Sequence, residues 1–339
     1  MNRRELLVGA ALASAAPMGA WARETPGRAR RLQAGDTVMV VAPAGVTYER
    51  VELEYAGDVL RALGLEPRFA PNVASRFGYL AGEDAARADG ITQAFLDDSV
   101  DAVFALRGGW GTGRLLPLLD YRAIARHPKI LLGYSDITAL LLALRARCGF
   151  VGIHGPNLLS DWNPHVVELL RRLLFAGERV EYRPVKPETQ SLASMEGRIQ
   201  TLVPGRASGE LIGGNLTVLA SLVGTPFLPD LRGCLLFLED VHEPVYRIDR
   251  ALTQLRLAGL LERVNGIVFG AFSKIPPENG YGDFALYDVL EQHSRAAGKP
   301  SFLGAAFGHI PANSPLPLGV RAEMDADIGT LALLEAAVS

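Results

Sequence analysis

At 339 residues, with 49% hydrophobic and 21% charged side chains, the chain has a globular composition and length enough for about two domains. A net charge of −3 supplies no basic surface for nucleic acid. Two cysteines, Cys148 and Cys234, cannot build a disulfide framework, and their separation matches no metal or redox motif.

Asn2-Arg3-Arg4-Glu5 precedes a small, apolar stretch from Val8 to Ala16, and Ala20-Trp21-Ala22 has small residues where a signal peptidase reads. Residues 1–22 therefore read as an export signal of twin-arginine character, implying a periplasmic protein. An uncleaved anchor is the other reading. The stretch is too short for an ordinary membrane span, and no later segment offers about 18 uninterrupted apolar residues, so no stable membrane insertion is expected after signal removal. Twin-arginine substrates generally cross already folded, which suits a chain without disulfides.

Short apolar runs then alternate with amphipathic ones. Strands are expected at 37–42, 102–106, 130–133 and 150–154, and helices at 49–63, 83–96, 135–147 and 165–175. This alternation predicts an α/β domain over 36–178, a parallel sheet with helices on both faces. Functional groups in such sheets gather beyond the carboxyl ends of strands, where Ala42-Pro43-Ala44-Gly45, Arg107-Gly108-Gly109 and Tyr134-Ser135 all fall. Residues 179–205 lack periodicity and carry Pro184, Pro187 and Pro204, so the interdomain crossing is placed there. A second, smaller mixed α/β unit follows over 206–335. Its strands are expected at 234–238, 266–272 and 319–324, and its helices at 245–260 and 286–294.

Gly133-Tyr134-Ser135-Asp136 joins the apolar run Lys129-Ile130-Leu131-Leu132 to a helical one. A serine at a sharp strand-to-helix turn exposes its hydroxyl and has a helix N-terminus behind it that favours developing negative charge. Ile137 stands where the last glycine of G-x-S-x-G would be, and the same serine could be an ordinary N-cap. Two further strand ends carry titratable groups, Glu239-Asp240 and His309. A serine needs an imidazole to take its proton, and the imidazole needs an acceptor on its other nitrogen. Ser135, His309 and Glu239 supply those roles, with Glu243 the rival carboxylate and His154 the rival base. The backbone N–H groups of Gly109 and Asp136 are the candidates for an oxyanion hole, although Gly109 also suits a plain tight turn. The six histidines show no metal-binding spacing such as H-E-x-x-H, so neither metal nor cofactor is expected.

At these residues the chain resembles the LD-carboxypeptidases, which include muropeptide-recycling enzymes and microcin C self-immunity peptidases. The resemblance rests on Arg107-Gly108-Gly109-Trp110-Gly111, Gly133-Tyr134-Ser135-Asp136, Gly213-Gly214-Asn215-Leu216, Leu238-Glu239-Asp240-Val241-His242-Glu243-Pro244 and Gly308-His309. It implies Ser135 as nucleophile with Glu239 and His309 completing the triad, and a second domain built around a β-barrel-like sheet. Trp110 replaces a frequent tyrosine as an aromatic wall, and Asn215 is implied as pocket wall, or merely a helix cap. The implied function is cleavage of the amide between the L-centre of a diamino acid and a terminal D-alanine in peptidoglycan peptides, by a homodimer. The alternatives are a peptidase clearing an amide-linked nucleotide antibiotic, or a periplasmic muropeptide-binding protein without activity.

Overall fold

The computed structural model describes residues 27–185, 197–276 and 284–339, so the expected export signal at 1–22 lies outside the described residues. The first half lays down Thr37–Val41 (β1), Arg50–Leu63 (α1), Glu66–Phe69 (β2), Asp84–Leu96 (α2), Ala102–Ala105 (β3), Tyr121–Ile124 (α3), Ile130–Gly133 (β4), Thr138–Cys148 (α4), Gly152–His154 (β5) and Pro164–Leu170 (α5). Helix starts and stops have local causes. The Glu52 carboxylate reaches back to accept from the Glu49 N–H at 3.2 Å at the start of α1, and Gly64 ends that helix in the left-handed conformation. Asn163 caps α5 by accepting from the Val166 N–H, with Pro164 in the first turn.

Strands β1 to β5 are parallel and ordered β2-β1-β3-β4-β5. β3 and β4 are buried at every residue, which is why they read as unbroken apolar runs. β2 was not expected. It alternates exposed and half-buried residues and contains Pro67, which only an edge strand tolerates. Because β2 lies on one side of β1 and β3 on the other, the loops leaving β1 and β3 diverge and open a crevice above the sheet.

The rest of the chain forms Glu181–Tyr182 (β6), Gln200–Val203 (β7), Arg206–Asn215 (β8), Leu216–Ser221 (α6), Leu235–Val241 (β9), Val245–Leu257 (α7), Gly266–Ser273 (β10), Leu286–Ala297 (α8), Ser301–Leu303 (β11), Leu316–Leu318 (β12), Arg321–Asp325 (β13) and Thr330–Leu333 (β14). Eight of these strands make a mixed sheet ordered β6-β14-β13-β8-β9-β10-β11-β7. The sheet curls back on itself: Thr201 on β7 donates to the Ala326 carbonyl in the β13–β14 turn at 2.8 Å.

Two departures from the sequence reading concern chain routing. The stretch 179–205, expected as an irregular crossing, contributes β6 and β7 to the second sheet. β12, late in the chain, joins the first sheet antiparallel to β5, so that sheet is not wholly parallel. Helix α4 ties the two sheets together. It is buried on all sides from Thr138 to Leu144, since it packs against β5 on one side and β8 and α6 on the other.

Candidate active site

Ser135 has φ of +64°, a left-handed conformation in which a residue with a Cβ is strained. The strand β4 ends at Gly133, a single 3-10 turn spans Ser135–Ile137, and α4 follows. Ser135 is not the cap, because Tyr134 holds the N-cap position of that turn and Ile137 that of α4. Ile137, the departure from the glycine pattern, is fully buried against Gly133, where a Cβ would meet its Cγ2 at 2.8 Å. The turn therefore keeps its sharpness through a glycine before the serine.

The hydroxyl points across the domain boundary. His309 Nε2 lies 3.1 Å from Ser135 Oγ, and His309 Nδ1 lies 2.7 Å from Glu239 Oε2. Glu239 sits on β9 and is completely buried. Burial pushes its carboxyl above the usual range, an effect the neighbouring His309 opposes. Gly308 allows this approach, since a Cβ there would stand 2.8 Å from Glu239 Cβ. Serine, imidazole and carboxylate thus form one hydrogen-bonded line, able to pass a proton from the hydroxyl to the ring while the carboxylate holds the ring's other N–H.

Residues 38–155 match the LD-carboxypeptidase N-terminal domain and residues 208–324 the LD-carboxypeptidase C-terminal domain. A probable murein peptide carboxypeptidase of Bacillus subtilis is 39% identical over 311 residues, covering 91% of this chain and 95% of the relative. The chain belongs to the LD-carboxypeptidase family of serine peptidases. The microcin C7 self-immunity protein MccF of Escherichia coli is 28% identical, covering 76% of this chain and 80% of that one. The crystal structure of muramoyltetrapeptide carboxypeptidase from Oxalobacter formigenes superposes with a TM-score of 0.75 at 29% identity, covering 88% and 97% of the two chains.

Around this LD-carboxypeptidase line the other expected residues separate. Glu243 is not brought to the histidine; it faces Arg247 one turn on, at 3.5 Å. His154 is fully buried, and neither ring nitrogen has a hydrogen-bond partner among the described residues. Burial, and secondarily the nearby His309, lowers its pKa to about 3. It therefore stays neutral, packed edge-on against Tyr134, Phe237 and Phe307. Tyr134 links the two histidines, its ring centroid 4.7 Å from that of His309 and 6.0 Å from that of His154.

Asn215 caps α6 by accepting from the Val218 N–H at 3.1 Å, and its amide nitrogen donates to Asp240 Oδ1 at 2.9 Å. That side chain is buried, and the β8–β9 pairing sets Asn215 opposite Glu239. Asp136 is buried, and its carboxylate accepts from the Thr112 N–H at 2.7 Å, tying the turn to the loop after β3. Burial raises its pKa. In that loop, Gly108 lies against Ser135, Gly109 has φ of +121°, and Trp110 projects outward at 55% exposure.

One residue escaped the sequence reading. Asn157, nearly buried just beyond β5, accepts from the Tyr134 N–H at 3.3 Å and so holds the turn from below. Its position after a strand end, in Gly155-Pro156-Asn157, was the available signal. Among the described residues no group of three or more His, Cys, Asp or Glu is placed to hold a metal ion. None of their helices is long and apolar enough to cross a membrane.

Proposed function

We propose that the protein is a serine LD-carboxypeptidase releasing terminal D-alanine from peptidoglycan-derived tetrapeptides, cutting after the L-centre of the diamino acid. The observation that carries this reading is the 3.1 Å and 2.7 Å line from Ser135 through His309 to Glu239, on a serine held at positive φ. Ser135 Oγ attacks the carbonyl carbon as His309 Nε2 accepts its proton, and Glu239 stabilises the imidazolium that forms. The N–H groups of Gly109 and Asp136 receive the oxyanion. On collapse His309 gives the proton to the departing amine of D-alanine, leaving an acyl-enzyme. Water, deprotonated by the same imidazole, then releases the shortened peptide.

The likeness to a murein peptide carboxypeptidase and to a muramoyltetrapeptide carboxypeptidase supports this substrate class. The likeness to MccF, a structure of which holds aspartyl sulfamoyl adenosine, favours an aminoacyl nucleotide as a second substrate for the same machinery. The deciding experiment is a panel with purified enzyme: a diamino-acid tetrapeptide and an aminoacyl-sulfamoyl nucleotide, with D-alanine release quantified. Turnover of the tetrapeptide lost in Ser135→Ala is the expected result. Turnover of the nucleotide alone would overturn the muropeptide assignment.

We also propose export by the twin-arginine route, on the Arg3-Arg4 segment. A reporter fused to residues 1–26 should lose export when both arginines become lysine. Undiminished export would remove the claim.

A further inference from the structure

The two N–H groups assigned to the oxyanion stand on different loops, Gly109 after β3 and Asp136 after β4. Neither N–H has an acceptor among the described residues. Such a pair works only at a fixed separation, because both donors must lie about 2.7–3.1 Å from one oxygen. One loop must therefore be held to the other.

The Gly109 half is oriented from the loop after β1. The Gly45 N–H donates to the Gly108 carbonyl at 3.2 Å, and that carbonyl and the Gly109 N–H belong to one planar trans peptide, so they point opposite ways. Further along, Arg87 on α2, only 1% exposed, donates to the Gly111 carbonyl at 3.1 Å and to the carbonyls of Pro43 and Gly82. Gly111, at φ of +113°, admits this approach, since a Cβ there would run into Leu80 and the Arg87 guanidinium. These bonds fasten the loops after β1, β2 and β3 to one another. None of them reaches the turn that carries Ser135.

The link to that turn is the side chain of Asp136. The residue is 7% exposed, and its Oδ2 accepts from the Thr112 N–H, three residues beyond Gly109, at 2.7 Å. Thr112 opens the helical turn Thr112–Leu118, so its N–H has no partner within that turn, and a carboxylate is the favoured group there. A bond this short to a carboxylate in a buried place is among the stronger ones a fold makes. Burial drives the Asp136 carboxyl toward the neutral acid, and the Thr112 bond and then the Arg87 charge act against it. The same residue thus offers its N–H to the oxyanion and its side chain to the loop of the other donor.

We propose that the Asp136 carboxylate is a positioning residue for the reaction, setting the gap between the two oxyanion donors through its bond to Thr112. The inference rests on the serine-peptidase reading above, with Gly109 and Asp136 as the donors. The tie needs an acceptor oxygen and not a negative charge, so asparagine can replace the carboxylate and alanine cannot. Without it the loop after β3 drifts from the turn, and the transition state loses its second donor while the ground state still binds. The loss falls on kcat.

The test measures kcat and KM for D-alanine release from the diamino-acid tetrapeptide in the wild type, Asp136→Ala and Asp136→Asn, with melting temperatures alongside. Asp136→Ala should lose about 10²-fold in kcat at nearly constant KM, the scale of one oxyanion donor, and Asp136→Asn should recover at least about tenfold of that loss. Asp136→Leu, which fills the same space without an acceptor, takes the place of alanine if that variant does not fold. A folded alanine or leucine variant with wild-type kcat overturns the inference, as does an asparagine variant no better than alanine, or a loss confined to KM. Each of these leaves the muropeptide reading intact, because the wild type still releases D-alanine. A wild type that releases none ends the muropeptide reading instead, and the tie is then judged by the rate at which diisopropyl fluorophosphate labels Ser135, read by intact mass with Ser135→Ala as control. In that step Ser135 Oγ bonds to phosphorus, fluoride leaves, His309 takes the proton, and the phosphoryl oxygen meets the same two donors. Labelling slowed at least about tenfold in Asp136→Ala and restored in Asp136→Asn supports the tie. Equal rates, or no labelling of the wild type, overturn it.

Discussion

Gly108 stands so close to Ser135 that a Cβ on the glycine would lie 2.9 Å from the serine Cβ and 3.1 Å from its Oγ. The loop after β3 thus sets where the nucleophile can point, and a methyl group there must push the serine away from His309. Gly108 is not among the glycines of positive φ, so no left-handed strain bars alanine there. Gly108→Ala is expected to fold normally and lose about 10²-fold in kcat, the scale of an ångström of misplacement. Kinetics and circular dichroism check this together. Full activity in a folded variant would show that the contact does not position the serine.

The positive φ of Ser135 makes a second expectation, on stability. Alanine keeps the strain and removes only the hydroxyl, so Ser135→Ala should lose D-alanine release at nearly unchanged melting temperature. Glycine removes the strain as well, so Ser135→Gly should be more stable than Ser135→Ala by roughly 1 kcal/mol. Urea unfolding of the two variants measures the difference. Equal stabilities would mean that the turn stores no strain at this residue.

The convergence of Ser135, Glu239 and His309 was legible because an apolar run stands beside each, although only Ser135 follows a strand end closely: Glu239 lies within β9, and His309 sits in a loop six residues beyond β11. The routing of the second half was not. β8 was missed because Arg206–Asn215 alternates weakly and ends in glycines that are there for close packing, Gly213 lying against the Phe237 carbonyl. β12, three residues with a central proline, pairs with β5 from far along the chain, and no local pattern encodes that pairing. Asn215 caps α6, as its place before a helical run allowed, but its bond to Asp240 depends on the β8–β9 pairing, which sets Asn215 opposite Glu239 and next to Asp240, and no local pattern encodes that.

Glu239 connects pH to stability. Its folded pKa is raised above the ordinary 4.5 by burial, so the folded state holds a proton that the unfolded chain gives up as pH rises. The wild type therefore loses stability as pH climbs through the window between 4.5 and the raised value. Glu239→Gln has no such titration. Its melting temperature relative to wild type should rise from pH 4 toward pH 8, while kcat falls by the order of 10⁴-fold as the imidazolium loses its counter-charge. A pH-independent difference in melting temperature would show that burial of this carboxylate carries no net cost.

His154 gives the opposite sign. Its pKa is lowered from 6.5 to about 3, so the unfolded chain takes up a proton that the folded one refuses, and stability is lost as pH falls below about 6.5. His154→Leu removes that loss, so its melting temperature relative to wild type should improve between pH 7 and pH 4. Its catalytic consequence should be small, because both ring nitrogens lack partners among the described residues and the Tyr134 ring stands against both histidines. His309→Ala should instead cost nearly as much kcat as Ser135→Ala, and the double variant little more than either, since members of one catalytic unit are strongly non-additive. Combining His154→Leu with His309→Ala should simply add a minor effect. The assignment of the base fails if His154→Leu abolishes turnover, or if the losses at Ser135 and His309 multiply.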